Sequence, residues 1–407
     1  FLAPEIHTSD IFLYNCPIFS ILNLNIWRNI SDVCRSYMVK LHNCFINIRT
    51  FLDLGGDVIS VQEQQLELVR KLEEEKIEQY AMLNVPRISI VGIGGAGCNM
   101  VSWIKERGMV GGKLLAMNTD ANHLSISKAD RRILIGEKTC GGLGCGGYVK
   151  KGEQALNENI KDVLKELENS KIVFLAAGLG GGTGTGGICK LSEALHDRDK
   201  LVVGVVTLPF DIERVRRKTA REALETLTHT CDTVVAIDNT KLARVAGDLP
   251  FKQALGVANE LIGLFVKDTT ETITTASLIN IDFADLRVIM EKRGLACIGV
   301  GYGDGEDRVG DAVKNAIDSQ LLDVDDRTKA YGVLVHVSGG EDMRLDEVMK
   351  AGELVTRYLS PMAKIVWGAR INPELEGRAH VMVILTGVES SIQKEEKRSP
   401  LRILGLS

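Results

Sequence analysis

Over residues 87–388 short apolar runs alternate with amphipathic stretches. Residues 87–91, 114–117, 132–135, 172–175, 201–208 and 234–237 read as strands, and runs such as Leu-Val-Val-Gly-Val-Val-Thr-Leu at 201–208 suit strands covered on both faces. Helical spacing appears between them at 100–107, 151–167 and 188–195. Strand and helix in alternation predict an α/β architecture with a parallel sheet. A long helix is expected from 252 to about 274. Beyond it, strands at 295–300, 332–337, 364–367 and 381–385 with helices at 309–320 and 345–358 predict a smaller α+β unit.

The two ends of the chain depart from this pattern. Residues 1–57 hold five of the ten phenylalanines and six asparagines, and their two glycines are Gly55 and Gly56. The uncharged run 11–27 is broken by Asn15, Pro17, Asn23 and Asn25 and falls short of the roughly 20 apolar residues of a spanning helix. We expect this leader to be sequence upstream of the true start. Gly55-Gly56-Asp57 can be encoded by a purine-rich ribosome-binding sequence, with Val58 or Val61 as the start, and a membrane-associating leader is the alternative. Intact mass decides between them. Within 58–86 the stretch 62–83 reads as one helix with a charged, solvated face. The tail, 389–407, is charged at 394–398 and then apolar at Leu401, Ile403, Leu404 and Leu406, a pattern that suits partner docking or a frayed terminus.

Three glycine loops bring in chemistry. Ala176–Gly187, AAGLGGGTGTGG, sits between a predicted strand and a predicted helix, where backbone N–H groups can approach an anion at a helix end. Gly92-Ile93-Gly94-Gly95-Ala96-Gly97 matches GxGxxG, and Asp120 at the end of the next strand could meet a ribose, so a dinucleotide fold is one reading. The loop 136–147, with Gly142, Gly144, Gly146 and Gly147, goes beyond one pyrophosphate fingerprint and favours a wrapped triphosphate. GxxxxGK[ST] is lacking, so the phosphates would rest on backbone amides and helix ends rather than a P-loop.

Charge adds little: the formal net charge is -5, which gives no global basic bias toward nucleic acid. The nine cysteines contain no CxxC pair and no metal-ligand spacing with histidine; reduced, mostly buried thiols are expected and no metal site. Cys140 and Cys145 are spaced CxxxxC.

Taken together, GGGTGTG at 180–186, GxGGxGxN at 92–99 and Asn280-Ile281-Asp282-Phe283-Ala284-Asp285, an NxDxxD loop, make residues 87–388 resemble the FtsZ family of tubulin-like cell-division GTPases, an archaeal-type member in particular. The resemblance implies a tubulin-like, Rossmann-type GTPase domain with a parallel sheet (87–251), a long central helix and NxDxxD loop (252–286), and a smaller α+β C-terminal domain (287–388). It implies that Gly95, Ala96, Gly97, Cys98 and Asn99 line one side of the phosphates of GTP or GDP, and that Gly182, Thr183 and Gly184 hold them from the other. Glu213 and Arg217 would contact the ribose and its surroundings, though four residues apart they also suit an ordinary helical ion pair. Asn239 and Asn259 would read the guanine.

The catalytic groups it implies are Asp282 and Asp285 with Asn280, acting on the nucleotide of the next subunit in a head-to-tail homopolymer, with Mg²⁺ carried by the nucleotide. A membrane-tethering or division protein would take the tail, and the protein would work in the cytoplasm at the division site without spanning the membrane or binding nucleic acid. Two positions depart from the family pattern. Leu255 stands where a phenylalanine stacks on the base, and Cys140-Gly141 stand where Thr-Arg precedes the Gly-Leu-Gly. A GTP-binding structural paralogue with weak hydrolysis and a nicotinamide-dependent oxidoreductase remain alternatives at this stage.

Overall fold

The computed structural model describes residues 86–247, 251–275, 279, 281–292, 294–322, 324 and 326–388. The leader, the helix expected at 62–83, the tail, Asn280 and the side chain of Leu255 lie outside the described residues.

The apolar runs become ten strands of one sheet: β1 (Ile88–Ile93), β2 (Gly112–Asn118), β3 (Arg131–Leu134), β4 (Ile172–Gly178), β5 (Leu201–Leu208), β6 (Thr233–Asp238), β7 (Gly294–Asp304), β8 (Gly332–Gly339), β9 (Lys364–Ile371) and β10 (Arg378–Thr386). Their spatial order is β3-β2-β1-β4-β5-β6-β7-β10-β8-β9. From β3 to β7 every pairing is parallel, and β10 joins antiparallel to both β7 and β8. The chain therefore winds outward from β1 to β3 and then restarts at β4, directly beside β1. This reversal between β1 and β4 is the topological switch where open α/β sheets take their ligands.

Alternation along each strand separates two cores. Ile88 and Ile90 face α1 (Gly94–Glu106), α8 (Phe251–Thr274) and α9 (Phe283–Met290), whereas Val91 and Ile93 face α4 (Val149–Glu166), α5 (Gly182–Leu195) and α6 (Arg214–Thr230). The short helices α2 (Ala121–Ile126), α3 (Glu137–Cys140) and α7 (Asn239–Ala246) fill the strand ends. Helix α8 packs through Phe265, whose ring meets Phe174 of β4 edge-on at 5.8 Å. A third core gathers α10 (Arg308–Ile317) and α11 (Leu345–Thr356) against β7, β8 and β10.

Two helices begin earlier than their side-chain pattern predicts: α1 at Gly94 rather than 100, and α5 at Gly182 rather than 188. Crowding explains the glycines inside them. A Cβ at Gly97 would run into the Ala176 carbonyl, and one at Gly186 into the Val149 carbonyl of α4. Glycine here lets helix and neighbour approach closely, and the apolar periodicity resumes only past the crowded turn. Strand β7 likewise runs to Asp304 because Gly299, Gly301 and Gly303 turn a bare face to the carbonyls of α10.

Candidate functional site

At the switch point two helices start side by side. β1 ends at Ile93, which is extended (φ -117°, ψ 126°) and gives no side-chain cap to α1. β4 ends at Gly178, and α5 follows from Gly181, also without a side-chain cap. The two turns touch: a Cβ at Gly94 (φ +72°) would lie 2.8 Å from the Gly184 nitrogen. Uncapped first-turn N–H groups of both helices thus converge on one spot, which is a ready anion site.

The first predicted cluster is split by depth. Gly95 and Asn99 are exposed and Ala96 is half-buried, while Gly97 and Cys98 are buried. Cys98 donates its thiol to the Met117 carbonyl at 3.4 Å, and burial pushes that thiol up to about 12. Its side chain belongs to the packing under β2, so only its backbone is available to a ligand.

On the α5 side, Gly182 and Gly184 are buried and Thr183 is half-buried. Thr183 Oγ1 lies 2.6 Å from Thr119 Oγ1, and Thr185 Oγ1 accepts from the Gly180 N–H at 2.8 Å. Thr185 therefore shapes the loop, whereas Thr183 faces the site with a second hydroxyl behind it. Thr119 escaped the sequence reading; its only signal was the polar Asn118-Thr119-Asp120 closing an apolar strand. Asp120, the ribose candidate of the dinucleotide reading, caps α2 by accepting the His123 N–H at 3.1 Å. The third glycine loop lies against this corner, with Gly144 N–H on the Thr119 carbonyl (3.1 Å), Ala121 N–H on the Gly142 carbonyl (3.0 Å), and Leu143 87% exposed.

The same edge of the sheet continues past β5 and β6. Arg217 pairs with the buried Asp238 at 2.7 Å and with Asp211 at 2.9 Å, while Glu213 meets Arg216 three residues on at 2.8 Å. Burial works against the Asp238 carboxylate, but Arg217 and the Thr240 N–H outweigh it and hold the carboxyl below the ordinary range. Asn239 opens α7, and its Oδ1 is buried without a hydrogen-bond partner, as an acceptor awaiting a donor would be. Asn259 is half-buried on α8.

The predicted acids sit elsewhere. Asp282 and Asp285, both exposed, begin α9. Arg287 of that helix pairs at 3.1 Å with Asp199, just before β5, and Thr233 at the start of β6 donates to the Met290 carbonyl at 2.5 Å. Helix α9 is thus moored to the N-terminal edge of the parallel strands, and the length of β5, about 25 Å for eight residues, separates it from the glycine loops. Ile279 is bridged to Ala369 of β9. Within one chain the acids and the anion site do not meet.

Comparison with known proteins bears on family and fold. Residues 87–247 match the family model described as the Tubulin/FtsZ family, GTPase domain, and residues 294–389 match the FtsZ family, C-terminal domain. Cell division protein FtsZ 2 of Methanocaldococcus jannaschii is 46% identical over 323 residues, covering 78% of this chain and 84% of that protein. Cell division protein FtsZ 1 of Pyrococcus woesei is 43% identical, covering 81% and 89%. Among solved structures, an empty FtsZ dimer of M. jannaschii superposes with a TM-score of 0.74 at 43% identity, over 77% of this chain and 92% of that one. The oxidoreductase alternative therefore falls away, and the chain belongs to the Tubulin/FtsZ family, with its GTPase domain followed by the FtsZ C-terminal domain.

Proposed function

We propose that this GTPase holds GTP at the β1/β4 switch point and hydrolyses it only where two subunits stack head to tail. The observation that carries the reading is the pair of uncapped, glycine-started helix ends, α1 and α5, set side by side with Thr183 and Thr119 beneath them. Backbone N–H groups of Gly95–Asn99 and Gly182–Gly184 receive the phosphates, and the two helix dipoles offset their charge. Glu213 and Arg217 flank the ribose, and Asn239 and Asn259 present amides to the guanine edge.

Hydrolysis needs a water aimed at the γ-phosphorus from the side opposite the β–γ bridging oxygen. Asp282 and Asp285 of the next subunit orient that water and take up its proton as the P–O bond to GDP breaks; Asn280, the first residue of the NxDxxD pattern, would assist them. Mg²⁺ would arrive with the nucleotide, as the resemblance implies. Such a Mg²⁺ would neutralise charge on the phosphates. The contact repeats from one subunit to the next, because the patch used at one end differs from the patch at the other. The tail at 389–407 would then tether the filament to a membrane-anchoring or division protein in the cytoplasm at the division site.

Light scattering with phosphate release, each with and without GTP, tests this. Scattering that rises only with GTP, and phosphate released in step with it and steeply dependent on protein concentration, is the expected result. Turnover per subunit that is independent of concentration overturns the two-subunit site. GTP-driven assembly with almost no phosphate released would instead select the weakly hydrolysing paralogue, which Cys140 and Gly141 in the third glycine loop favour.

A further inference from the structure

The third glycine loop holds two thiols that the nucleotide chemistry leaves unused. Cys140 ends α3 and is half-buried, and Cys145, five residues on, is buried; both are free. Their Sγ atoms lie 3.2 Å apart. A disulfide bond is about 2.05 Å long, so closure needs an approach of only about 1 Å. The turn between them can supply it: Gly141, Gly142 and Gly144 all have positive φ, and nothing lies within 4 Å of a Cβ at Gly141 or Gly144. Cys98, Cys189 and Cys231, in contrast, are buried among packed side chains.

Behind this pair lies the phosphate corner. Cys145 Sγ is 3.5 Å from Thr119 Oγ1, the hydroxyl that meets Thr183, and its Cβ would stand 2.8 Å from a Cβ at Gly182. We propose that Cys140 and Cys145 form a redox modification site, a reversible intramolecular disulfide that fastens the third glycine loop and weakens guanine-nucleotide retention. The second half of this rests on the nucleotide reading above. Drawing Cys145 toward Cys140 takes its sulfur from Thr119 and slackens the support under Thr183 and Gly182.

The oxidant is a low-molecular-weight disulfide, RSSR. Cys140, the more accessible sulfur, attacks as thiolate, forming Cys140–S–S–R and expelling RS⁻. Cys145 then attacks the Cys140 sulfur, forming the internal bond and expelling the second RS⁻. Two protein thiols are oxidised, one RSSR is reduced to two RSH, and the thiol protons end on the leaving groups. Burial, reinforced by the hydrogen bond with Cys145, pushes the Cys140 thiol up to about 11. Closure is therefore slow at neutral pH and quickens about tenfold per pH unit up to that value.

The test uses the full chain, reduced and then incubated with oxidised glutathione at mildly alkaline pH. Peptide mapping should find Cys140 linked to Cys145, reversed by dithiothreitol, and GTP retention should fall about fivefold on closure, the worth of one lost hydrogen bond. Cys145→Ser should stop at a glutathione adduct on Cys140. Glutathione remaining on Cys140 of the unmodified sequence, with no linked peptide, overturns the site. A linked peptide with unchanged GTP retention overturns the effect on nucleotide. If the reduced protein retains no guanine nucleotide, the nucleotide reading fails, while the mapping still decides the disulfide by itself.

Discussion

The two edges of the parallel sheet are built from opposite materials. At the C-terminal edge, around Gly94–Asn99 and Gly181–Gly184, the proposed ligand groups are backbone N–H donors, and the charged side chains nearby are largely neutralised by one another, as in Arg217 with Asp238 and Asp211. At the N-terminal edge, Asp282 and Asp285 are exposed carboxylates on α9, which is itself held by Arg287 to Asp199. Under the proposed function one edge would offer donors to a polyanion and the other acceptors to a water. Neither would be complete alone, and the length of the sheet keeps them apart. Complementary halves on opposite ends of one molecule are what a propagating, head-to-tail contact requires.

The largest effect should come from cutting the acidic edge while leaving the donor edge intact. Asp285→Ala is expected to retain GTP and to lose at least about 100-fold in turnover, comparable to removing one preorganised catalytic group. Mixing sharpens the point. A Gly181→Val variant, whose Cβ meets nothing within 4 Å and whose side chain would project in front of the α5 N-terminus, should be inactive by itself but still carries both acids. Combined in equal amounts, the two variants should recover activity at roughly a quarter of random contacts, those that join an intact donor edge to an intact acidic edge. A mixture no more active than its components would show that both edges serve the same subunit.

The two edges were also unequally legible in the sequence. Strands β1, β4 and β5 announce themselves as Val, Ile and Leu runs because both faces are covered, and the glycine loops follow from backbone chemistry alone. Helix starts were hidden: Gly94 to Cys98 and Gly182 to Gly187 carry no apolar period, since close packing against β4 and α4 demands glycine there. Thr119 was missed because a lone hydroxyl after a strand looks like any turn residue, and its meaning depends on Thr183, 64 positions away. Cys98 shared the motif, yet its side chain turns inward. Nothing in local pattern separates Asp282 and Asp285 from an ordinary helix start; only the resemblance singled them out, and only the topology shows that they stand at the far edge.

Helix α8 runs between the edges, and its second half is moored by buried polar groups. His336 of β8 shares a 2.9 Å hydrogen bond with Thr272 and lies 3.7 Å from Asp268, while His380 of β10 stacks on Tyr302 with ring centroids 4.7 Å apart. Burial lowers both imidazoles to about 4, with Asp268 partly opposing the shift at His380. An imidazole lowered by folding binds fewer protons than its unfolded counterpart between about pH 6.5 and pH 4, so its contribution is full above that window and is lost as pH falls through it. At pH 5 each costs about 2 kcal/mol of stability relative to pH 7. Asp268, raised by burial, returns part of this in acid. Thermal unfolding should therefore show Tm falling from pH 7 to pH 5, and His380→Phe, which keeps the ring stack, should remove close to half of that fall. An unchanged pH dependence in this variant would mean that His380 does not contribute to the fall.

The smallest effect separates glycines that bind from glycines that pack. Gly181 caps α5 in an extended conformation (φ -91°, ψ 172°), and a Cβ there meets nothing within 4 Å. Alanine at this position projects into the open space in front of the α5 N-terminus, where the phosphates are expected, so Gly181→Ala should lower GTP affinity about tenfold and leave Tm within a degree or so. Gly186, one turn further along α5, is closed in by Val149 and Glu153. Gly186→Ala should spread α5 from α4 at a cost of about 1–3 kcal/mol in unfolding free energy. Its affinity should change only as far as the helix start moves. Measuring Tm and GTP binding on both variants gives a crossed pattern if the donor edge is a ligand site built on a packed base. Equal losses of stability in the two would mean that both glycines serve packing alone, and the α5 N-terminus would lose its claim on the phosphates.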